Sequence, residues 1–242
     1  MSLKPVGDLE GQFLAVPSVK PLRLVDTWKA ATTWFNALEG DPLNVYIRAT
    51  SKPLATKATY FLILLLWMKS LIILTINAGA ALIVANPIKT GPSSSMDRLV
   101  DLITKWTTAI LYRSLTEEQK KRRDEIDEKV TNLTKNVLGD RTKEMIYVDL
   151  LVTEPRSQRH GYGSALLQTM TSYGDSLVRA VWLQTATHQN VLFYKLFGFE
   201  VLGETVLGDD NPEWHQDPVI LRLMVREPKA QLLVAEKRTT FQ

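Results

Sequence analysis

The chain has 242 residues, of which 45% are hydrophobic and 23% charged. That is enough to bury a real core in one large domain or two small ones, and it excludes a disordered chain. Twenty-nine basic against 26 acidic residues leave a net charge of +3, and there is no cysteine and only three histidines, His160, His188 and His215, without short ligand spacing. No nucleic-acid partner, disulfide, thiolate nucleophile or metal site is therefore expected.

In chain order, residues 1–18 show no periodicity and read as a loose N-terminal arm. "KPLRLV", Lys20–Val25, reads as a first strand. Asp26 caps a predicted helix over Thr27–Leu38, whose Trp28, Ala31, Trp34, Phe35 and Leu38 recur at helical spacing. Gly40 ends that helix, and Asp41-Pro42 opens another. Thr59–Met68 has no alternation and reads as a buried helix. Leu71–Thr75 and Ala81–Val84, joined through "NAGA", read as a hairpin. Lys69, Asn77, Gly79 and Asn86 interrupt the apolar run from Tyr60 to Pro87, so no membrane span is expected. The first residues lack a basic stretch followed by an apolar core, which predicts no secretory signal and a cytoplasmic location.

Asn86–Ser95 reads as loop. Met96–Tyr112 carries Leu99, Leu102, Ile103, Trp106 and Ile110 on one side of a predicted helix. The highly charged Thr116–Val137 predicts a second, surface helix. Together they form an expected helical hairpin at about 96–139. Beyond Asp140 the pattern changes to strand (Glu144–Val152), helix (Gly161–Tyr173), strand (Ala180–Thr185) and short helix (Asn190–Leu196). Two further strands, Phe199–Leu207 and Pro218–Arg226, precede a tail over 229–242.

The most informative stretch is "TEPRSQRHGYGSALLQTM", Thr153–Met170. A strand, a basic turn and a helix N-terminus make an anion trap, because the first helical turn leaves amides unpaired and the helix dipole favours negative charge. Gly161 and Gly163 keep side chains away from the seat, and Arg156 and Arg159 add charge at its rim. The spacing fits neither the dinucleotide fingerprint, which needs a third glycine, nor a P-loop, which needs a Lys-Ser/Thr pair.

Gln158-Arg159-His160-Gly161-Tyr162-Gly163 resembles the central motif of the GNAT N-acetyltransferase superfamily, a strand leading to Gln/Arg-x-x-Gly-x-Gly/Ala. Downstream, "VWLQTATHQNVLFYKLFGFEVLGE" places Asn190, Tyr194 and Gly198-Phe199 in the order that family uses. The resemblance implies an α+β (mixed αβα) acyl-CoA N-acyltransferase fold with a central, mostly antiparallel splayed sheet. It makes residues 19–228 a single acetyltransferase domain with the helical insertion inside it. Acetyl-CoA is then the implied co-substrate, and a small-molecule or exposed primary amine the implied acceptor. By the same resemblance, Leu151 and Val152 pair with pantetheine, Gln158, Arg159, His160, Gly161, Tyr162, Gly163 and Ser164 cradle the pyrophosphate, and Asn190 contacts pantetheine. Tyr194 is the implied general acid for the leaving thiolate.

A proton acceptor for the amine is harder to find. Strict alternation places Asp149 on one face with Tyr147 and Leu151, opposite Val148, Leu150 and Val152. Bases on this strand in the family share the phase of Val152, so Asp149 is left out of the catalytic set. In "GDDNPEWHQDP", Gly208–Pro218, Asp209, Asp210 and Glu213 are expected to attract a cationic amine, with Trp214 and Tyr46 as aromatic walls. His215 lies in the same loop without a supporting pattern. The motifs leave open a non-catalytic acyl-CoA-binding module on the same fold, and transfer of another acyl group or to another acceptor.

Overall fold

Apolar spacing draws Thr27–Ala37 (α1) onto a sheet, where Ala30, Ala31 and Trp34 are buried with Leu64 of Pro53–Trp67 (α3). This computed structural model describes residues 17–47, 53–87 and 95–229. The tail past residue 229, nearly all of the expected arm and most of the 86–95 loop lie outside them. Among the described residues no helix is long and apolar enough to cross a membrane.

The remaining helices are Pro42–Ile47 (α2), Ser95–Arg113 (α4), Glu117–Val137 (α5), Tyr162–Ser176 (α6) and His188–Lys195 (α7). Seven described strands form one sheet: Lys20–Pro21 (β1), Ile72–Ile76 (β2), Ala81–Asn86 (β3), Ile146–Thr153 (β4), Val181–Thr185 (β5), Glu200–Leu207 (β6) and Val219–Arg226 (β7). Their order is β1-β2-β3-β4-β5-β7-β6, antiparallel except for β4 beside β5. The mixed α/β architecture and mostly antiparallel sheet are as expected.

On one face, α1 and α3 cover β2–β4, while α2 and α5 cover β5, β7 and β6. The other face is buried under α6 and α7, through Leu166, Leu167, Met170, Val191 and Tyr194. Arg226 of β7 ties that layer down with paired bonds of 2.8 and 2.7 Å to Asp175 of α6.

Several local expectations are corrected. The first strand is only two residues long, and Leu24–Asp26 turns as a 3-10 helix. Asp26 does not cap α1 with its side chain; its carboxylate pairs with Arg23 at 2.8 Å. In α3 only Leu64 is fully buried, because one side of the helix packs and Leu54 and Leu62 face outward.

The two helices between β3 and β4 behave differently from each other. The apolar stripe of α4 (Leu99, Leu102, Ile103, Trp106 and Ile110) is exposed. In contrast α5, despite its charge, is a wall of the core. Thr116 and Gln119 form its capping box, and Ile126, Val130, Leu133 and Val137 pack against the β6–β7 side.

The seat of α5 is Gly203 on β6. A Cβ there would lie 2.8 Å from Val137 Cγ2 and 2.9 Å from Leu133 Cδ1. Gly203→Val should therefore destabilise the chain by about 1–3 kcal/mol, the usual cost of overpacking. Urea unfolding measures this, and an unchanged midpoint would show that α5 does not depend on the close approach.

Candidate active site

The site begins with one surplus residue. Val84 pairs with Leu150 and Ala85 with Val148, so Asp149 has no counterpart on β3 and the strand bulges there. The bulge resets the alternation. Val148 enters the α6 core, whereas Leu150 and Val152 enter the α1–α3 core on the face that also carries Tyr147. The strict alternation that sets Asp149 apart from the phase of Val152 is thus broken at Asp149 itself.

At the same point β4 and β5 part. Their parallel pairing runs through Ile146–Val181, Tyr147–Trp182 and Val148–Leu183 and goes no further. A cleft of about 560 Å³ opens there. It is lined by Leu151, Val152, Gln158, Arg159, Gly161, Tyr162, Gly163, Ser164, Asn190 and Tyr194. Ten of the eleven residues singled out in the sequence therefore surround one space. His160 does not line it; its Nδ1 lies 2.8 Å from the carbonyl oxygen of Gln158.

The turn into α6 is shaped by two left-handed residues, Arg159 (φ 64°) and Gly161 (φ 77°). The first bond of α6 runs from the Ala165 amide to the Gly161 carbonyl at 2.9 Å. The amides before Ala165 thus have no carbonyl of their own helix to bond. A Cβ on Gly161 would meet no atom within 4 Å, so the space beside this turn is open. On Gly163 it would sit 3.8 Å from Phe193 Cζ and Thr153 Oγ1, an ordinary contact. The backbone angle at 161 thus favours glycine, with aspartate and asparagine the side chains best able to follow it, while 163 has room for alanine. An open seat facing a helix N-terminus fits the phosphates of a CoA-type ligand.

Asn190 does not cap α7. Thr187 does, its Oγ1 accepting from the Asn190 amide at 3.2 Å. That leaves the Asn190 side chain free of the cap. One turn on, Tyr194 is buried against Phe199 and Phe193, and its phenol is held well above its usual range. Burial is the main cause, with the charge of Asp41 second.

Asp41 also lines the cleft. In the sequence it is legible only as the start of a helix, and its carboxylate does accept from the Asn44 amide at 3.1 Å. Burial nevertheless raises its carboxyl above the ordinary range. Asp149, at the bulge, is likewise raised by burial, although it keeps an exposed edge and bonds to Tyr147. At the same rung Tyr147 stacks on Trp182 with centroids 4.2 Å apart. The indole Nε1 of Trp182 is buried without a hydrogen-bond partner among the described residues.

One of the loop acids and one of the aromatic walls are arranged otherwise than expected. Asp209 is taken by Lys129 at 2.6 Å. Tyr46 is fully buried with its hydroxyl bonded to Glu125, so it cannot wall a cleft. Trp214 packs edge-on against Tyr46.

Residues 130–199 match the model of the Acetyltransferase (GNAT) family. No curated protein sequence matches the chain. Among solved structures, arylalkylamine N-acetyltransferase 2 from Aedes aegypti is 14% identical, with 87% of this chain and 98% of that one covered and a TM-score of 0.56. A polyamine N-acetyltransferase from Drosophila melanogaster, which forms N-acetylagmatine, is also 14% identical, with 87% and 99% covered and a TM-score of 0.54. A Corynebacterium glutamicum protein described as histone acetyltransferase HPA2 and related acetyltransferase is 16% identical, with 90% and 99% covered and a TM-score of 0.53. At these identities the likeness is one of fold. Residues 130–199, which include the β4–α6–β5–α7 segment, thus carry the match to the GNAT acetyltransferase family, and the chain around them shares the fold of these acetyltransferases.

Proposed function

We propose that the chain transfers an acetyl group directly from acetyl-CoA to a primary amine. The observation that carries this reading is one cleft at the β4–β5 fork that joins the open Gly161 seat to the buried Tyr194 phenol. The amide-bearing turn over Arg159–Ser164 would hold the pyrophosphate, with Gln158 alongside. Leu151, Val152 and Asn190 would hold the pantetheine arm. Bound acetyl-CoA supplies the activated acyl group as a thioester.

The chain's own residues then manage charge and protons. Past Val148 the backbone of β4 is released from β5, and its amides can polarise a carbonyl placed in the fork. Tyr194 keeps its proton at neutral pH because burial and Asp41 both oppose the phenolate. It is therefore suited to give that proton to the leaving sulfur. An amine must lose a proton to attack. Asp41 and Asp149, both raised by burial, are the carboxylates by the fork able to take it. Two of the solved relatives named above act on small amines, an arylalkylamine and agmatine by their descriptions. That supports a small amine as the acceptor here.

Gly161→Asp adds a side chain and a negative charge to the phosphate seat. Calorimetry should show acetyl-CoA affinity falling well over about tenfold with the fold retained. Unchanged affinity would remove the cradle.

Tyr194→Phe deletes one hydroxyl and keeps the ring. With an amine that the unaltered chain turns over, kcat should fall by roughly 10²–10⁴-fold while acetyl-CoA affinity barely moves. A loss under about threefold, with chemistry rate-limiting, would take Tyr194 out of the reaction.

Asp41→Asn separates capping from proton transfer, because asparagine caps helices as well as aspartate does. A raised carboxyl pKa means that the folded state favours the protonated acid. That contribution is present below the unfolded pKa and is lost as pH rises through the folded one. The variant should therefore melt at or above the unaltered chain at pH 7, with its advantage shrinking toward about pH 4. Its kcat/KM should fall about tenfold or more. A lower melting temperature at pH 7 with full activity would reduce Asp41 to a cap.

A further inference from the structure

The turn between β2 and β3 holds three successive residues in the left-handed region: Asn77 (φ 50°), Ala78 (φ 53°) and Gly79 (φ 98°). Glycine is at ease there and asparagine tolerates it, whereas an alanine stays only where its surroundings hold it. Those surroundings are one face of α1. Lys29 Nζ donates to the Asn77 carbonyl at 2.8 Å, and Thr33 Oγ1 to the Gly79 carbonyl at 2.7 Å. From within the hairpin, Thr75 Oγ1 accepts from the Gly79 amide at 2.9 Å. A Cβ on Gly79 would lie 2.8 Å from the Ala30 nitrogen, so the turn is pressed against α1.

What this fixed turn presents to the rest of the molecule is the side chain of Asn77. It crosses to α6, where its Nδ2 donates to the Tyr162 hydroxyl at 2.6 Å. Tyr162 is the first residue of α6, adjoins Gly161 and lines the CoA cleft, and its ring packs on the core beneath the helix. A phenol oxygen both accepts and donates. Because it accepts from Asn77, the Tyr162 hydroxyl keeps its own hydrogen to donate elsewhere. Accepting a bond also polarises the O–H and strengthens the one that it gives.

We propose that the Tyr162 hydroxyl donates to a phosphate oxygen of the CoA-type ligand, and that Asn77 is the positioning residue that aims it. The inference rests on the reading of the Gly161 turn as a phosphate seat, and adds to its amides one side-chain donor. Amides are placed by the backbone that carries them, but a hydroxyl is placed by what it touches. A bond from a neutral donor to a charged acceptor is stronger than one between neutral groups, and it weakens steeply out of line. An aimed phenol is therefore worth more at this seat than a free one.

Calorimetry with two probes tests this: acetyl-CoA, and its nucleotide half 3′-phospho-ADP, which keeps the phosphates and lacks the pantetheine. Tyr162→Phe keeps the ring and should weaken both by about tenfold, the scale of one hydrogen bond to a charged group. Asn77→Gly keeps the left-handed backbone and removes only the amide, and should weaken both by about threefold. In the Tyr162→Phe background, Asn77→Gly should cost nothing further, because its target is gone. A merely structural role would not give that result, since a loosened turn costs the same in either background. Full affinity in Tyr162→Phe overturns the donor, and a loss confined to acetyl-CoA overturns its assignment to phosphate. Full affinity in Asn77→Gly, or equal losses in the two backgrounds, overturns the positioning role. Should Asn77→Gly not fold, Asn77→Asp replaces it in the same cycle, and equal losses again overturn the role. An unaltered chain that binds neither probe overturns the phosphate seat and this inference together. One that shows the expected pattern yet acetylates no amine supports this inference and overturns the transfer reading alone.

Discussion

Where Val84 meets Leu150 and Ala85 meets Val148, β4 carries one residue more than β3 can match. The surplus falls at Asp149, directly past the last rung shared with β5. A bulge increases local twist and bends the strand that holds it, so the bend and the parting of the strands belong together. The parting frees backbone groups in a place where a regular sheet would have spent them on each other. It also gives α6 a strand end from which to begin, which points the helix N-terminus into the gap. The cleft, the open turn at Gly161 and the placement of Tyr194 opposite follow from that one mismatch in register.

The α2 side of the sheet has a different kind of support. Tyr46 and Leu43 seat α2 on β6 and β7, and α5 adds a second constraint on α2 and on the Gly208–Pro218 loop. Its apolar residues seat it on β6 at Gly203, and its Arg122, paired with Glu118 between the rings of Tyr46 and Trp214, bonds outward to both segments. A buried ion pair adds little net stability against an apolar replacement, yet loses about 3–5 kcal/mol when one partner is removed. Such a network is a poor glue and a good locator. Hydrophobic contact holds α5 in place, and the Arg122 cluster fixes what α5 holds.

The motif-bearing half of the chain is legible in its sequence because its signals are local. Strands of alternating residues, a Gly-x-Gly turn and an Asn-Tyr-Gly-Phe order each depend on near neighbours, and ten of the eleven chosen residues line one cleft. What the sequence conceals is long-range. A bulge is a mismatch between two strands about sixty residues apart, invisible when β4 is read alone. The charge of α5 resembles that of a solvated helix, because periodicity cannot tell a charge facing water from one buried between two rings. Tyr46 and Asp209 look free to meet a ligand, but their partners, Glu125 and Lys129, come from a distant helix. Asp41 carries the signal of a helix cap, and a true cap conceals any second role.

The double role proposed for Asp41 has a physical logic. A carboxylate that only capped α2 would be best left in water, where ionisation is free. Asp41 is instead buried enough that its charged form is disfavoured, and its charge acts in turn on the Tyr194 phenol. The pair is therefore coupled across the cleft: a negative Asp41 strengthens the hold of Tyr194 on its proton, and protonation of Asp41 weakens it. For a reaction in which an amine loses a proton and a sulfur gains one, this coupling has the useful sign. A proton arriving at Asp41 makes Tyr194 a stronger acid as the leaving thiolate needs it. The folded chain bears the cost, since an ionised acid away from water detracts from stability at neutral pH. An acid retained under that penalty, beside an open cleft and a buried phenol, fits the proton-transfer role proposed for it.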